Sequence, residues 1–346
     1  MLKSRDYDII KFIKAKGDCS SKEIFDGISP SMSYATLKRV LTNLISENFI
    51  ETKGRGKGTK YFISSMYELI QPIDIQKYYE KEIDEREIKQ KFNFGIITNT
   101  LNNYSVFTKN KLNKLKDLQK KYSENISQLS ENEYRKELER LAIDLSWKSS
   151  QIEGNTYSLL ETERLLKERE TASGKTKEEA IMLLNHKDTL DFIIDNPDYL
   201  YPLSISKIED IHSMLVKELN VDRNLRKRRV GISGTNYRPL DNENQISEAL
   251  NMTCELIDSK ENVFEKTLLA LVLLSYIQPF IDGNKRTARI VSNAILINDN
   301  HCPLSFRTVD SVDYKKSMLL FYEQNNISNL KKIFINQFEF AVNTYF

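Results

Sequence analysis

The chain has 346 residues, enough for two domains of ordinary size, and its 40% hydrophobic and 29% charged content is that of a globular protein rather than a disordered one. No uncharged apolar run approaches the ~18 residues of a membrane span; the longest, Leu268 to Ile277, is of core-helix length. Net charge is only +2, which excludes polyanion binding by bulk electrostatics, but residues 1–65 hold twelve Lys/Arg against seven Asp/Glu. That local +5 on a body of about −3 points to a basic N-terminal module.

The N-terminus lacks an apolar signal region, and Cys19, Cys254 and Cys302 show no CxxC spacing or disulfide framework, so a cytoplasmic protein is expected. Residues 6–16 place Ile9, Ile10, Phe12 and Ile13 at helical spacing, and Gly17 closes the segment. Ser20 and Glu23 form a capping box for a short helix through Phe25. Pro30 and Ser31 end the next turn. A third helix follows from Ser33, with Leu37, Val40, Leu41, Leu44 and Ile45 on one face.

Phe49–Thr52 and Tyr61–Ile63 then flank a Gly-rich basic tip and read as a hairpin. Three helices and a basic hairpin are the order of a winged helix-turn-helix, assigned to residues 1–65. DNA contacts are expected from Lys38 and Arg39 on the third helix and from Lys53, Arg55, Lys57 and Lys60 on the wing. The same module also serves dimerisation or protein docking in other settings, and a homodimer is compatible with it.

Residues 66–135 read as a helical connector packed between two domains, with a strongly charged stretch over Lys109–Lys121. From Tyr134 helices dominate: one ending near Trp147, then Leu159–Lys167, Lys177–Ile194, Ile205–Leu219, Ile246–Ile257, and an apolar helix from Val263. Val230–Pro239 is the one expected strand pair in this half. Residues 136–346 are therefore an all-helical bundle with a small hairpin.

Between that apolar helix and the next lies Gln278-Pro279-Phe280-Ile281-Asp282-Gly283-Asn284-Lys285-Arg286-Thr287-Ala288-Arg289. Free N–H groups at a helix start, with Lys285, Arg286 and Arg289 nearby, make an anion site. Arg286 and Arg289, three apart, can address one polyphosphate, and Asp282 can hold a Mg²⁺ that bridges phosphate oxygens.

The stretch resembles the Fic (Fido) motif, H-x-F-x-[DE]-G-N-[GK]-R-x-x-R, at every defined position except the first. Ser149-Ser150-Gln151-Ile152-Glu153-Gly154 resembles the family's inhibitory motif, [ST]-x-x-x-E-[GN], and Val230–Pro239 resembles its flap hairpin. The resemblance covers about residues 136–345. It implies a mainly α fold, an all-helical Fic/Fido bundle with a small β-hairpin flap, preceded here by the winged helix.

The resemblance further implies ATP and Mg²⁺ as cofactors and transfer of AMP to a Ser, Thr or Tyr hydroxyl of a protein target. Carried over, Phe280 anchors the loop and Asp282 binds Mg²⁺. Gly283, Asn284 and Lys285 cradle phosphates, and Arg286 and Arg289 hold the β- and γ-phosphates. Ser149, Glu153 and Gly154 belong to the inhibitory motif, with Glu153 displacing the γ-phosphate from Arg289. Ile232, Gly234, Thr235 and Tyr237 belong to the flap, which pairs main chain with a target segment.

The departure is Gln278, at the position of the family's general base; an amide takes up no proton near neutral pH. His186 is expected to be structural, His212 to sit at a half-buried helix position and His301 to start a loop after the second motif helix; none is spaced to replace residue 278. Two functions stay open: an adenylyltransferase impaired in catalysis, and a non-catalytic, nucleotide-responsive DNA-binding regulator.

Overall fold

The computed structural model describes residues 2–28 and 32–346. The turn assigned to Pro30 and Ser31 lies outside the described residues. The basic N-terminal part comprises α1 (Ser4–Lys16), α2 (Ser21–Gly27), α3 (Tyr34–Ser46) and the strands β1 (Ile50–Lys53) and β2 (Lys60–Ile63). The Ser20/Glu23 capping box starts α2, and Gly17, at φ 79°, closes α1. β1 and β2 pair antiparallel from Ile50↔Ile63 to Lys53↔Lys60, and Tyr61 also exchanges main-chain hydrogen bonds with Cys19. Ile9, Ile13, Ile24, Leu37, Leu41 and Leu44 form the core between these elements, whereas Ile45 is exposed, one position past the buried stripe.

The connector differs from the helical expectation. It holds two single-turn helices, α4 (Tyr67–Ile70) and α5 (Ile75–Tyr78), then a largely irregular run and a π-helical turn over Ile96–Leu101 before α6 (Lys109–Ile126). Its apolar residues serve as individual anchors rather than as one helix face. Phe92 stacks on Tyr276 at 4.6 Å, and the Asn93 amide donates to the Tyr276 hydroxyl at 3.0 Å.

The remainder is a helical bundle: α7 (Glu131–Ile152), α8 (Leu159–Glu168), α9 (Lys177–Asp195), α10 (Ile205–Leu215), α11 (Glu243–Ser259), α12 (Val263–Ile277), α13 (Asn284–Asn298), α14 (Ser311–Gln324) and α15 (Ser328–Thr344). α12 is apolar on every side and buried along nearly its whole length, so it is the axis on which the other helices pack. α7 runs beyond Trp147 to Ile152: its last turns bury Ser146, Ser149 and Ser150, polar residues that hide the continuing helix from an apolar-period reading.

Residues 230–239 are the larger correction. Among the described residues the only strand ladder is β1–β2, and 230–239 form an irregular loop turning at Gly234, φ 87°. The main chain of this loop is met by the connector instead of by itself. Arg238 N donates to Gln90 O at 2.8 Å, and Tyr237 enters the core, where its hydroxyl donates to Tyr276 O. The three cysteines are free and buried, and burial raises each thiol pKa. Among the described residues no helix is long and apolar enough to cross a membrane.

The axial role of α12 gives a stability test. Leu273→Ala, at a fully buried site, should cost about 2–5 kcal/mol in urea unfolding followed by circular dichroism. Leu160→Ala, at a side chain 77% exposed, should shift it by no more than about 0.5 kcal/mol. Equal effects would contradict the central placement of α12.

Candidate functional site

The site begins where α12 stops. Gln278 caps that helix at φ 53°, a left-handed conformation uncommon for a non-glycine residue. Arg226 holds it there. This guanidinium, 1% exposed, donates through Nε to Gln278 O at 2.6 Å, through Nη2 to Ile277 O at 3.5 Å and through Nη1 to Arg228 O at 2.9 Å. Among the described residues it pairs with no carboxylate; its counterpart is the negative carboxyl end of α12.

The loop that follows is braced from below. Phe280 stacks on His212 with ring centroids 3.6 Å apart, and the imidazole reaches the Asp282 carbonyl at 2.9 Å and that of Arg223 at 3.1 Å. His212 is fully buried rather than half-buried, because Phe280 covers its face. The Asn284 side chain closes the loop by accepting from Phe280 N and donating to Phe280 O, both at 2.8 Å. Gly283 has φ 80°, and a Cβ there would lie 3.3 Å from Val216 and 3.4 Å from His212, so glycine fits both the turn and the space.

Gly283 is the N-cap of α13 and supplies no side-chain cap, leaving the first-turn N–H groups available to an anion. The two motif arginines are buried and diverge. Arg286 donates from Nη2 to Asp282 Oδ2 at 3.1 Å. Arg289 reaches across to α7, donating from Nε to Ser149 Oγ at 2.8 Å and from Nη2 to Ser149 O at 3.0 Å and Glu153 Oε1 at 3.1 Å. Its Nη1 is buried without a partner.

Lys285 holds the other carboxylate oxygen of Glu153 at 3.0 Å. Burial works against charge on Glu153, but Arg289 and then Lys285 outweigh it and hold the carboxyl down at about 2. Gly154, at φ 105°, turns the chain away immediately after it.

In front of these groups lies a cleft of about 310 Å³, bounded by Glu153, Gln278, Asp282, Asn284 and Lys285, by Gly231–Ser233 of the loop, and by Lys315, Met318, Leu319 and Tyr322 of α14. The Gln278 amide nitrogen donates to Ser275 O at 2.6 Å and to the Tyr322 hydroxyl at 3.3 Å. Asp282 is 62% exposed at its side chain, and the described residues hold no cluster of three His, Cys, Asp or Glu. A single carboxylate beside a phosphate site suits Mg²⁺, which keeps waters and shares substrate oxygens, so the residues present fit that ion.

Ile232 lines the cleft; Gly234 and Thr235 lie beyond it, and Tyr237 is a core residue. Sequence reasoning missed Arg226, His212 and Tyr322. Arg226 sits in the basic run Arg226–Arg229, where nothing in the residue types marks which guanidinium turns inward. In the N-terminal part, Arg39, Lys53, Arg55 and Lys57 are exposed, and Lys38 donates to the Tyr61 hydroxyl at 3.3 Å. Lys60 departs from expectation: it pairs with Glu23 at 2.7 Å, since the α2 cap carboxylate lies over the base of the wing.

Comparison with known proteins agrees with this geometry. Protein adenylyltransferase Fic of Nematostella vectensis is 28% identical over 173 residues, a match spanning 48% of this chain and only 40% of that relative. A structure of Fic-1 from C. elegans superposes with a TM-score of 0.60 at 19% identity, covering 68% of this chain and 71% of that one. A Fic domain containing signaling protein from Bacteroides thetaiotaomicron gives 0.54 at 18% identity, covering 67% and 93%. At such identities these two structures speak for the fold alone. The fold and the loop between α12 and α13 agree with the match of residues 202–296 to the family model described as Fic/DOC family, and that segment holds α12 and all but the end of α13.

Proposed function

We propose that the cleft binds ATP with Mg²⁺ as an adenylyltransferase site, held back by Glu153 and deprived of its general base at position 278. The observation that carries this reading is the Glu153 carboxylate lying between Arg289 and Lys285, beside the uncapped start of α13. A carboxylate there takes the place a terminal phosphate would occupy on the same two cations. The unpartnered Arg289 Nη1 is a further donor for that phosphate.

In this reading the α13 amides and Lys285 bind the phosphate chain, with Asp282 holding Mg²⁺ and Arg286 steadying Asp282. The ion, when bound, neutralises charge on the phosphate oxygens. A target segment lies along Gly231–Ser233 and presents its hydroxyl oxygen to the α-phosphorus. The new P–O bond forms as the bond to the β-phosphate bridging oxygen breaks, and pyrophosphate leaves. The hydroxyl proton needs an acceptor, and the Gln278 amide supplies none. Phosphate positioning is retained, so the chain is read as a nucleotide binder of low transfer activity.

A specific observation also favours DNA binding by residues 1–65 as a winged helix-turn-helix. Lys53 at the end of β1 and Arg55 and Lys57 on the β1–β2 connection are exposed, and none has an ion-pair partner among the described residues. Arg39 is exposed in the middle of α3.

These readings have direct tests. Calorimetry with Mg–ATP should show Glu153→Gly binding about tenfold or more tightly than the parent chain, since both cations are released; equal affinities would remove Glu153 from the phosphate site. With labelled ATP, Gln278→His combined with Glu153→Gly should raise AMP incorporation into itself or lysate protein by about 10²–10⁴ over Glu153→Gly alone. An inert double variant would sink the transfer reading. For DNA, the full chain should shift a mixed duplex at low salt, and replacing Lys53, Arg55 and Lys57 by Ala should flatten the log–log salt slope by about 2–3 units. Absence of any shift would leave the module to protein docking.

A further inference from the structure

The Gly231–Ser233 wall of the cleft is held by a segment far outside the Fic-matched residues. After α5 the connector crosses α14 and meets the loop at three alternate positions. Arg86 Nη2 donates to Gly234 O at 3.2 Å, Asp84 Oδ1 accepts from Asn236 Nδ2 at 3.1 Å, and Gln90 O accepts from Arg238 N at 2.8 Å.

The middle of this strap is fixed to the bundle. Arg86 Nη1 donates to both oxygens of Glu323, at 3.0 and 3.3 Å, and that fully buried carboxylate also accepts from the Tyr78 hydroxyl at 2.7 Å. Lys89 N adds a bond to Glu323 O at 2.8 Å. The turn just after Glu323 also holds the start of the connector: Ile327 N donates to Leu69 O at 2.7 Å, and Asn326 Nδ2 to Glu68 O and Gln71 O. One guanidinium thus joins an immobile carboxylate to the tip of a loop that has no strand ladder of its own.

We propose that Arg86 is the positioning residue of this loop: it sets where the main chain of Gly231–Ser233 stands over the cleft, and so how an extended target segment docks there. This rests on the docking role given to the loop under the proposed function. The planar fork of arginine serves both partners at once. A lysine supplies the charge for Glu323 but cannot also span to Gly234 O.

The test uses the full chain and amide hydrogen exchange. In Arg86→Ala, exchange at the two hydrogen-bonded amides of the loop, Tyr237 and Arg238, should quicken about tenfold or more, with α12 and α13 unchanged. Arg86→Lys should keep the parent's thermal midpoint yet show the same quickening, which separates positioning from mere structural support. Should Arg86→Ala fail to fold, Asp84→Ala with Asn236→Ala cuts the clamp at exposed side chains and should again loosen only this loop.

Unchanged exchange at Tyr237 and Arg238 in these folded variants would overturn the proposal. In the Gln278→His, Glu153→Gly background, Arg86→Lys should raise KM for the protein target about tenfold while ATP affinity stays within about twofold. Quickened exchange with unchanged KM would overturn the docking half. If that background transfers no label at all, the transfer reading fails, and the exchange result still decides whether Arg86 holds the loop.

Discussion

The arrangement of the cleft depends on one buried cation set against a helix end. Were α12 to continue past Ile277, its axis would carry the motif away from α7 and α14. Pro279 ends it, and Arg226 fixes that end by taking the carbonyls of residues 277 and 278, while the same side chain also takes the Arg228 carbonyl at the root of the neighbouring loop. A guanidinium satisfied only by carbonyl dipoles is tolerable because the last turn of a helix concentrates partial negative charge. Residue 278, the loop between α12 and α13 and the wall facing them are thus referenced to one point.

Around that point the charges divide cleanly. Arg289 is matched by Glu153, Arg286 by Asp282 and Arg86 by Glu323, each pair joining different elements or a loop to its helix. Breaking either of the two buried pairs, Arg289–Glu153 or Arg86–Glu323, leaves an uncompensated ion, which commonly costs several kcal/mol, so these two contacts specify geometry strongly even where their net stabilisation is small. Two of the three carboxylates border the cleft, whereas Glu323 is sealed inside the bundle.

Much of this was legible because the responsible signals are local. The Ser20/Glu23 box, Gly17 and the Asp282-Gly283-Asn284 turn are read from residues within one helical turn, and the structure places them as expected. What escaped depends on contacts distant in sequence. Nothing near Arg86 announces Glu323, and nothing near His212 announces that Phe280 will cover it. The loop at 230–239 misled for a related reason: Ile232 and Tyr237 gave apolar residues in a glycine-bounded run, but the partner that the backbone found was the connector. Lys60 likewise looked unopposed until the fold brought Glu23 over it.

The buried thiols bear on how motion in this protein can be followed. Cys19 and Cys302 are fully buried and Cys254 nearly so, and burial holds the Cys254 thiol up at about 12, far from the reactive thiolate form. Maleimide and nitroxide reagents attack thiolates that they can reach, so the native cysteines are silent while the chain stays folded. A single cysteine introduced at an exposed position would then be the sole labelled site. With one such cysteine placed on the connector and a second on α14, the distance between them can therefore be measured without first stripping the core of its sulfur.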